Sequence, residues 1–194
     1  EDRIYLTGLS MGGGGSLWLG LTRPDMWAAI APVCPAPPEG TMELAGNAAN
    51  LPVHLFIGDK DFLYKTATEW KDRLESSAQR LDYVEYPGVG HNSWEWAYKD
   101  GFIFDWFSQF KRDLFPEKVS FTTKWFKYNK AYWVTVDDMI PGETATIEAK
   151  FTGPNAVTVL SSGTQAFTLS LDGHPQFNSG RKLSVSVNGK LLGG

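Results

Sequence analysis

Apolar positions recur along this chain with two different periods, and the change falls near Pro116. Before it, short apolar runs alternate with stretches of helical spacing. Ile4-Tyr5-Leu6 predicts a strand, with a helix opening just beyond it. The apolar run that ends at Cys34 predicts the next strand, and Leu51 to Gly58 predicts a buried one. The following helix carries Ala67, Trp70, Leu74 and Ala78 on one face, and a further strand runs from Asp82 to Tyr86. Ile103, Trp106, Phe107, Phe110 and Leu114 then recur at i, i+3, i+4, i+7 and i+11, predicting a last helix packed against the sheet. Alternating strand and helix units imply a parallel sheet with right-handed crossovers.

After Pro116 the period drops to two. Ile147 to Phe151, Val157 to Val159, Phe167 to Leu171 and Ser184 to Val187 each place apolar residues on one face of a strand. Pro141-Gly142, Gly153-Pro154 and Asp172-Gly173 punctuate them, and Asn188-Gly189 is a tight hairpin signal. The expected organisation is an α/β part over residues 1–116, followed by a small antiparallel β module over 117–194, a sandwich packed on the first part. Trp125, Phe126, Tyr128, Tyr132 and Trp133 read either as packing groups or as a platform for sugar rings.

Composition narrows the function classes. Of 194 residues, 42% are hydrophobic and 21% charged, enough for one or two cores, and a net charge of −4 gives no basic excess for nucleic acid. Ile4 to Thr22 lack charge over 19 residues, but six glycines with serine and threonine hydroxyls argue against membrane insertion. The single cysteine, Cys34, excludes an internal disulfide and reads as a buried thiol. His54, His91 and His174 show no metal-ligand spacing, so neither metal nor cofactor is expected. His54 reads as a hydrogen-bonded core residue and His174 as a turn residue.

The candidate chemistry begins at Gly8-Leu9-Ser10-Met11-Gly12. A serine at the apex of a sharp strand-to-helix turn is the nucleophile elbow of the α/β-hydrolases, with glycines relieving collisions on either side. That fold orders its catalytic residues serine, acid, histidine. Asp59-Lys60-Asp61 follows the Leu51–Gly58 run, and His91 follows the Asp82–Tyr86 run, both just past C-terminal strand ends, where ligand crevices form in open α/β sheets. Asp82 lies at a strand's beginning and is set aside. Between Asp59 and Asp61, residue physics alone does not choose.

Thr7-Gly8-Leu9-Ser10-Met11-Gly12-Gly13, Arg23-Pro24-Asp25 and Ala28 to Cys34 resemble bacterial secreted esterases related to polyhydroxybutyrate depolymerases and feruloyl esterases, a group also described as prolyl-oligopeptidase-like peptidases. The resemblance covers roughly the first 115 residues. Gly58-Asp59-Lys60-Asp61 resembles that group's G-x-x-D motif and places the acid on Asp61. Tyr86 to Trp94 resembles its histidine loop and places the base on His91. The run Gly12 to Gly15 departs from relatives, which carry a larger residue there. The resemblance implies a secreted or periplasmic bacterial protein, and the elbow itself places one oxyanion donor at the amide of the residue after the nucleophile, Met11. The resemblance also implies that a second donor loop and four strands stand ahead of the elbow. The chain is therefore expected to be the C-terminal half of an α/β-hydrolase sheet, either completed by a missing N-terminal polypeptide or pairing its bare strand in a homo-oligomer. Trp94, three residues after His91, reads as a pocket wall or as packing under the loop. The expected activity is hydrolysis of a small or polysaccharide-linked ester. A proline-directed peptidase and a non-catalytic or carbohydrate-binding fragment are the alternatives.

Overall fold

The computed structural model describes residues 1–192, which fall into two compact units, Glu1–Asp113 and a second beginning at Leu114. In the first, β1 (Tyr5–Leu9), β2 (Ala29–Val33), β3 (Pro52–Gly58) and β4 (Arg80–Tyr86) form a parallel sheet in the order β1-β2-β3-β4. The crossovers are α1 (Met11–Thr22), a 3-10 segment Thr41–Asn50, and α2 (Tyr64–Glu75).

Side-chain alternation along the strands sorts two cores. Ile30, Val53 and Leu55 meet Leu17 and Leu21 of α1 and Trp70 and Leu74 of α2. Ala29, Ala31, Val33 and Phe56 meet Ile103, Trp106 and Phe107 of α4 (Phe102–Ser108), with Ala97 of the short α3 (Trp94–Ala97). Both faces are covered, so β2 and β3 are buried throughout, as parallel strands require. Among the described residues β1 is paired on one side only.

The last apolar stripe was expected to run to Leu114, but α4 ends at Ser108 and Leu114 is exposed. Arg3 donates to the Ser108 carbonyl at 2.7 Å and Tyr5 to the Phe110 carbonyl at 2.8 Å, while the Arg112 amide donates to Asp2. The chain after α4 is thereby laid along the entry to β1, and its carbonyls are committed outside a helix. No helix of the described residues is long and apolar enough to cross a membrane.

The second unit holds two sheets around one core. β5 (Lys118–Thr123), β8 (Ala145–Gly153), β9 (Ala156–Ser162), β11 (Ser184–Val187) and β12 (Lys190–Leu192) form one, in the order β12-β11-β9-β8-β5. β6 (Lys130–Ala131), β7 (Val134–Met139) and β10 (Thr164–Leu169) form the other, in the order β10-β7-β6. Val119, Phe121, Ile147, Phe151 and Val157 from the first sheet pack with Val134 and Val136 from the second. Asn188 and Gly189, both at positive φ, turn the β11–β12 hairpin.

One pairing departs from the antiparallel expectation: β11 runs parallel to β9. Asn155, at φ 54° in the β8–β9 turn, explains it. Its side chain donates to the carbonyls of Asn178 and Arg181 and accepts from the Asn178 amide, and its carbonyl accepts from Ser184. These bonds pin the returning chain beside the start of β9, so the next strand can only run alongside it.

Candidate active site

Four loops at the C-terminal ends of β1 to β4 converge. Ser10 leaves β1 and opens α1 at φ 54°, ψ −117°, a conformation rarely open to an L-residue. It is held there by its amide, which donates to Val33 at 3.0 Å, and by its carbonyl, which accepts from Gly14 and Ala36 at 2.9 Å. Gly8 is sterically required, because a Cβ there would collide with the Gly12 carbonyl. The expected collision at Gly12 itself is not found, since a Cβ there meets nothing. Within the glycine run, Gly13 and Gly14 are the tight positions, packed on the backbone of Val33 to Pro37. Close packing is thus what offsets the helical cost of those two, about 0.8–1 kcal/mol each.

Asp61 follows β3 and is 6% exposed. The acid and histidine loops lock together: the Lys60 amide donates to Val89 at 2.9 Å, and Gly58 packs so closely on the Val89 and Gly90 carbonyls that no side chain fits. His91 Nδ1 lies 2.9 and 3.1 Å from the Asp61 oxygens, and Nε2 lies 2.8 Å from Ser10 Oγ. A carboxylate only accepts, so the proton sits on Nδ1 and leaves Nε2 free to accept from the serine hydroxyl.

The two competing carboxylates have other tasks. Asp59 Oδ1 accepts from the Gly88 amide at 2.7 Å and so pins the turn ahead of His91. Asp82 lies near the start of β4, whose other end leads into the His91 loop, and there it accepts from the Trp106 indole at 2.6 Å and pairs with Arg80 at 2.8 Å.

Met11 is the first residue of α1, so its amide has no acceptor within the helix and remains available beside Ser10. Its side chain is 82% exposed. Trp94 is half-buried in the α4-side core and meets the His91 ring edge-on, with centroids 5.6 Å apart at 88°. It therefore serves packing and the site rim together. Phe62, a residue with no motif of its own in the sequence, lies with its ring centroid 4.6 Å from that of His91. Its adjacency to Asp61 was the available signal.

Cys34 leaves β2 fully buried, and its thiol donates to the His91 carbonyl at 3.5 Å. Cys34, Asp61 and His91 offer donor atoms within 4.8 Å of one another. The set fits a metal poorly. Burial pushes the Cys34 thiol up, away from the thiolate a metal needs, and the other two donors already face each other.

Elsewhere the histidines differ from expectation. His54 is a core residue, 3% exposed among the rings of Phe56, Phe102 and Trp106, but its Nδ1 lacks a hydrogen-bond partner. His174 follows the Asp172-Gly173 turn yet is buried, stacked 4.1 Å from Phe151 and accepting from the Gln176 amide at 3.1 Å. Of the five aromatics weighed as a sugar platform, Tyr132 and Trp133 belong to the core, whereas Trp125 and Phe126 are exposed.

Comparison with known proteins places this architecture. Neither a family model nor a curated protein sequence matches the chain. Among solved structures, a thermostable esterase is similar at 25% identity and a TM-score of 0.50, over 58% of this chain and 32% of that one. Weaker matches are a ferulic acid esterase (21% identity, TM-score 0.46, 53% of this chain and 52% of that one) and the S-formylglutathione hydrolase FrmB from Staphylococcus aureus (21%, 0.43, 53% and 50%). The chain spans about a third to a half of the length of these proteins. The fold is mixed α/β, with a parallel sheet followed by sheets of largely antiparallel strands, and the thermostable esterase is among the solved structures it resembles.

Proposed function

We propose that this chain carries the catalytic residues of a serine hydrolase acting on carboxylic esters. One observation carries the reading: Ser10 Oγ, His91 and Asp61 form a continuous hydrogen-bonded line at 2.8 and 2.9 Å, although they lie far apart in sequence. The likeness to a thermostable esterase supports it.

On this reading the three residues and the Met11 amide divide the steps of acyl transfer among them. Ser10 Oγ attacks the ester carbonyl carbon while His91 Nε2 takes its proton. Asp61 holds the imidazole in the required tautomer and stabilises the imidazolium that forms. The carbonyl oxygen, now an oxyanion, turns toward the Met11 amide at the positive end of α1. Collapse expels the alcohol, whose oxygen receives the proton from Nε2. A water then repeats the sequence on the acyl-serine, and the acid is released.

The test is labelling and turnover on the same sample. A fluorophosphonate should modify Ser10, and a p-nitrophenyl ester should be cleaved by the parent but not by Ser10→Ala. Modification elsewhere, or turnover that survives Ser10→Ala, would refute the reading. Cleavage of a proline amide with no ester turnover would favour the peptidase alternative.

A further inference from the structure

We propose that Phe62 forms the wall against which the alcohol half of the ester lies, so that the protein selects esters whose alcohol carries a flat ring. This rests on the hydrolase reading above and deepens it. Phe62 directly follows Asp61, and the backbone there is fixed by that carboxylate, whose Oδ1 accepts from the Leu63 amide at 2.8 Å. Its ring is 77% exposed, yet lies 4.6 Å from the His91 ring at a tilt of 41°. Trp94, which also meets His91, is half-buried against the core cluster, so Phe62 offers the larger free surface.

The reaction decides which half of the ester comes near it. Nε2 must return its proton to the leaving oxygen, which therefore comes within about 3 Å of that nitrogen. The carbonyl oxygen is turned instead toward the Met11 amide. A substituent on the leaving oxygen leaves the site beside the imidazole, where the Phe62 ring is waiting. Ring faces stack favourably on aromatic side chains at centroid separations of about 4.5–7 Å. An aryl alcohol or the C–H face of a sugar ring presents the same flat, weakly polar surface. Because the phenyl ring is open to solvent, the alcohol can continue beyond it, as a sugar within a polymer would.

The experiment compares acetate esters, so that the acyl-enzyme is common to all. The alcohols are methyl, phenyl and an acetylated methyl pentoside, each taken with the parent, Phe62→Ala, Phe62→Leu and Phe62→Tyr. Both non-aromatic variants should lose about tenfold in kcat/KM on the phenyl or pentoside ester and less than about twofold on methyl acetate. Phe62→Tyr should retain the preference. Deacylation of the acetyl-enzyme should be unchanged in all variants, since the alcohol has already left. A loss confined to the phenyl ester or to the pentoside identifies which ring source is used. Equal losses on all three alcohols, or slowed deacylation, would show that Phe62 merely positions His91 and would overturn the proposal while leaving the esterase reading intact. Absence of ester turnover by the parent would overturn both.

Discussion

His54 should make the first unit sensitive to mild acid. Burial holds its imidazole pKa at about 4, against an ordinary value of 6.5, with the Asp82 carboxylate opposing that shift and Arg80 reinforcing it. Its ring is packed among Phe56, Phe102 and Trp106, and Nδ1 has no partner to compensate a charge. The unfolded chain therefore binds a proton between pH 6.5 and 4 that the folded chain refuses. Stability rises with pH wherever the unfolded state holds more protons, so the contribution is intact above pH 6.5 and is lost as pH falls toward 4. The slope approaches about 1.4 kcal/mol per pH unit, and the total is about 3 kcal/mol. Asp82 does not confuse the window. Its burial is outweighed by Trp106 and Arg80, so its pKa lies below 3.8 and its own loss begins only at lower pH. The assay is unfolding followed at pH 7 and 4.5 for the parent and for His54→Leu, with the His54 ring titrated by NMR. The parent should lose stability over this interval while the leucine variant stays nearly flat. Identical pH slopes for the two, or an imidazole that titrates near 6.5 in the folded protein, would refute the reasoning.

Other predictions concern the loops. Asp61→Asn should keep the fold but lower kcat by about 10⁴, because the amide stabilises the wrong imidazole tautomer; steady-state kinetics on a p-nitrophenyl ester checks it, and a loss below tenfold would count against the assignment. Asp59→Ala hands the exposed Gly88 amide over to water, so it should cost only about 0.5–1.5 kcal/mol of stability and reduce activity far less than Asp61→Asn. Gly14→Ala, whose Cβ would enter the Ala36 carbonyl, should lower the melting temperature, whereas Gly15→Ala, which meets open space, should raise it slightly.

What the residues revealed, and what they withheld, follows from how locally each feature is encoded. The elbow is written in five consecutive residues, because the strained φ of Ser10 and the contact of Gly8 with Gly12 are both local. The strands of the parallel sheet were legible for the same reason, as apolar runs bounded by turns. The choice between Asp59 and Asp61 was not, since each follows the same strand and only the packing of Gly58 on Val89 decides which carboxylate meets His91. Resemblance, rather than spacing, had to supply it.

Long-range facts stayed hidden altogether. Period-two alternation shows that a segment is a strand with one buried face, but it says nothing of which strand lies beside it. The parallel β9–β11 pairing depends on one asparagine side chain reaching residues 178 and 181, a contact no periodicity records. The end of α4 is of the same kind. Its apolar spacing continues past Ser108, and the competing bonds come from Arg3 and Tyr5, more than a hundred positions upstream. Phe62 was hidden for a subtler reason. A phenylalanine beside a buried strand reads as core by default, and only its combination of 77% exposure with contact to His91 separates a substrate wall from packing. Exposure is a property of the assembled loops, so a residue acting on substrate can look in sequence like one that merely fills space.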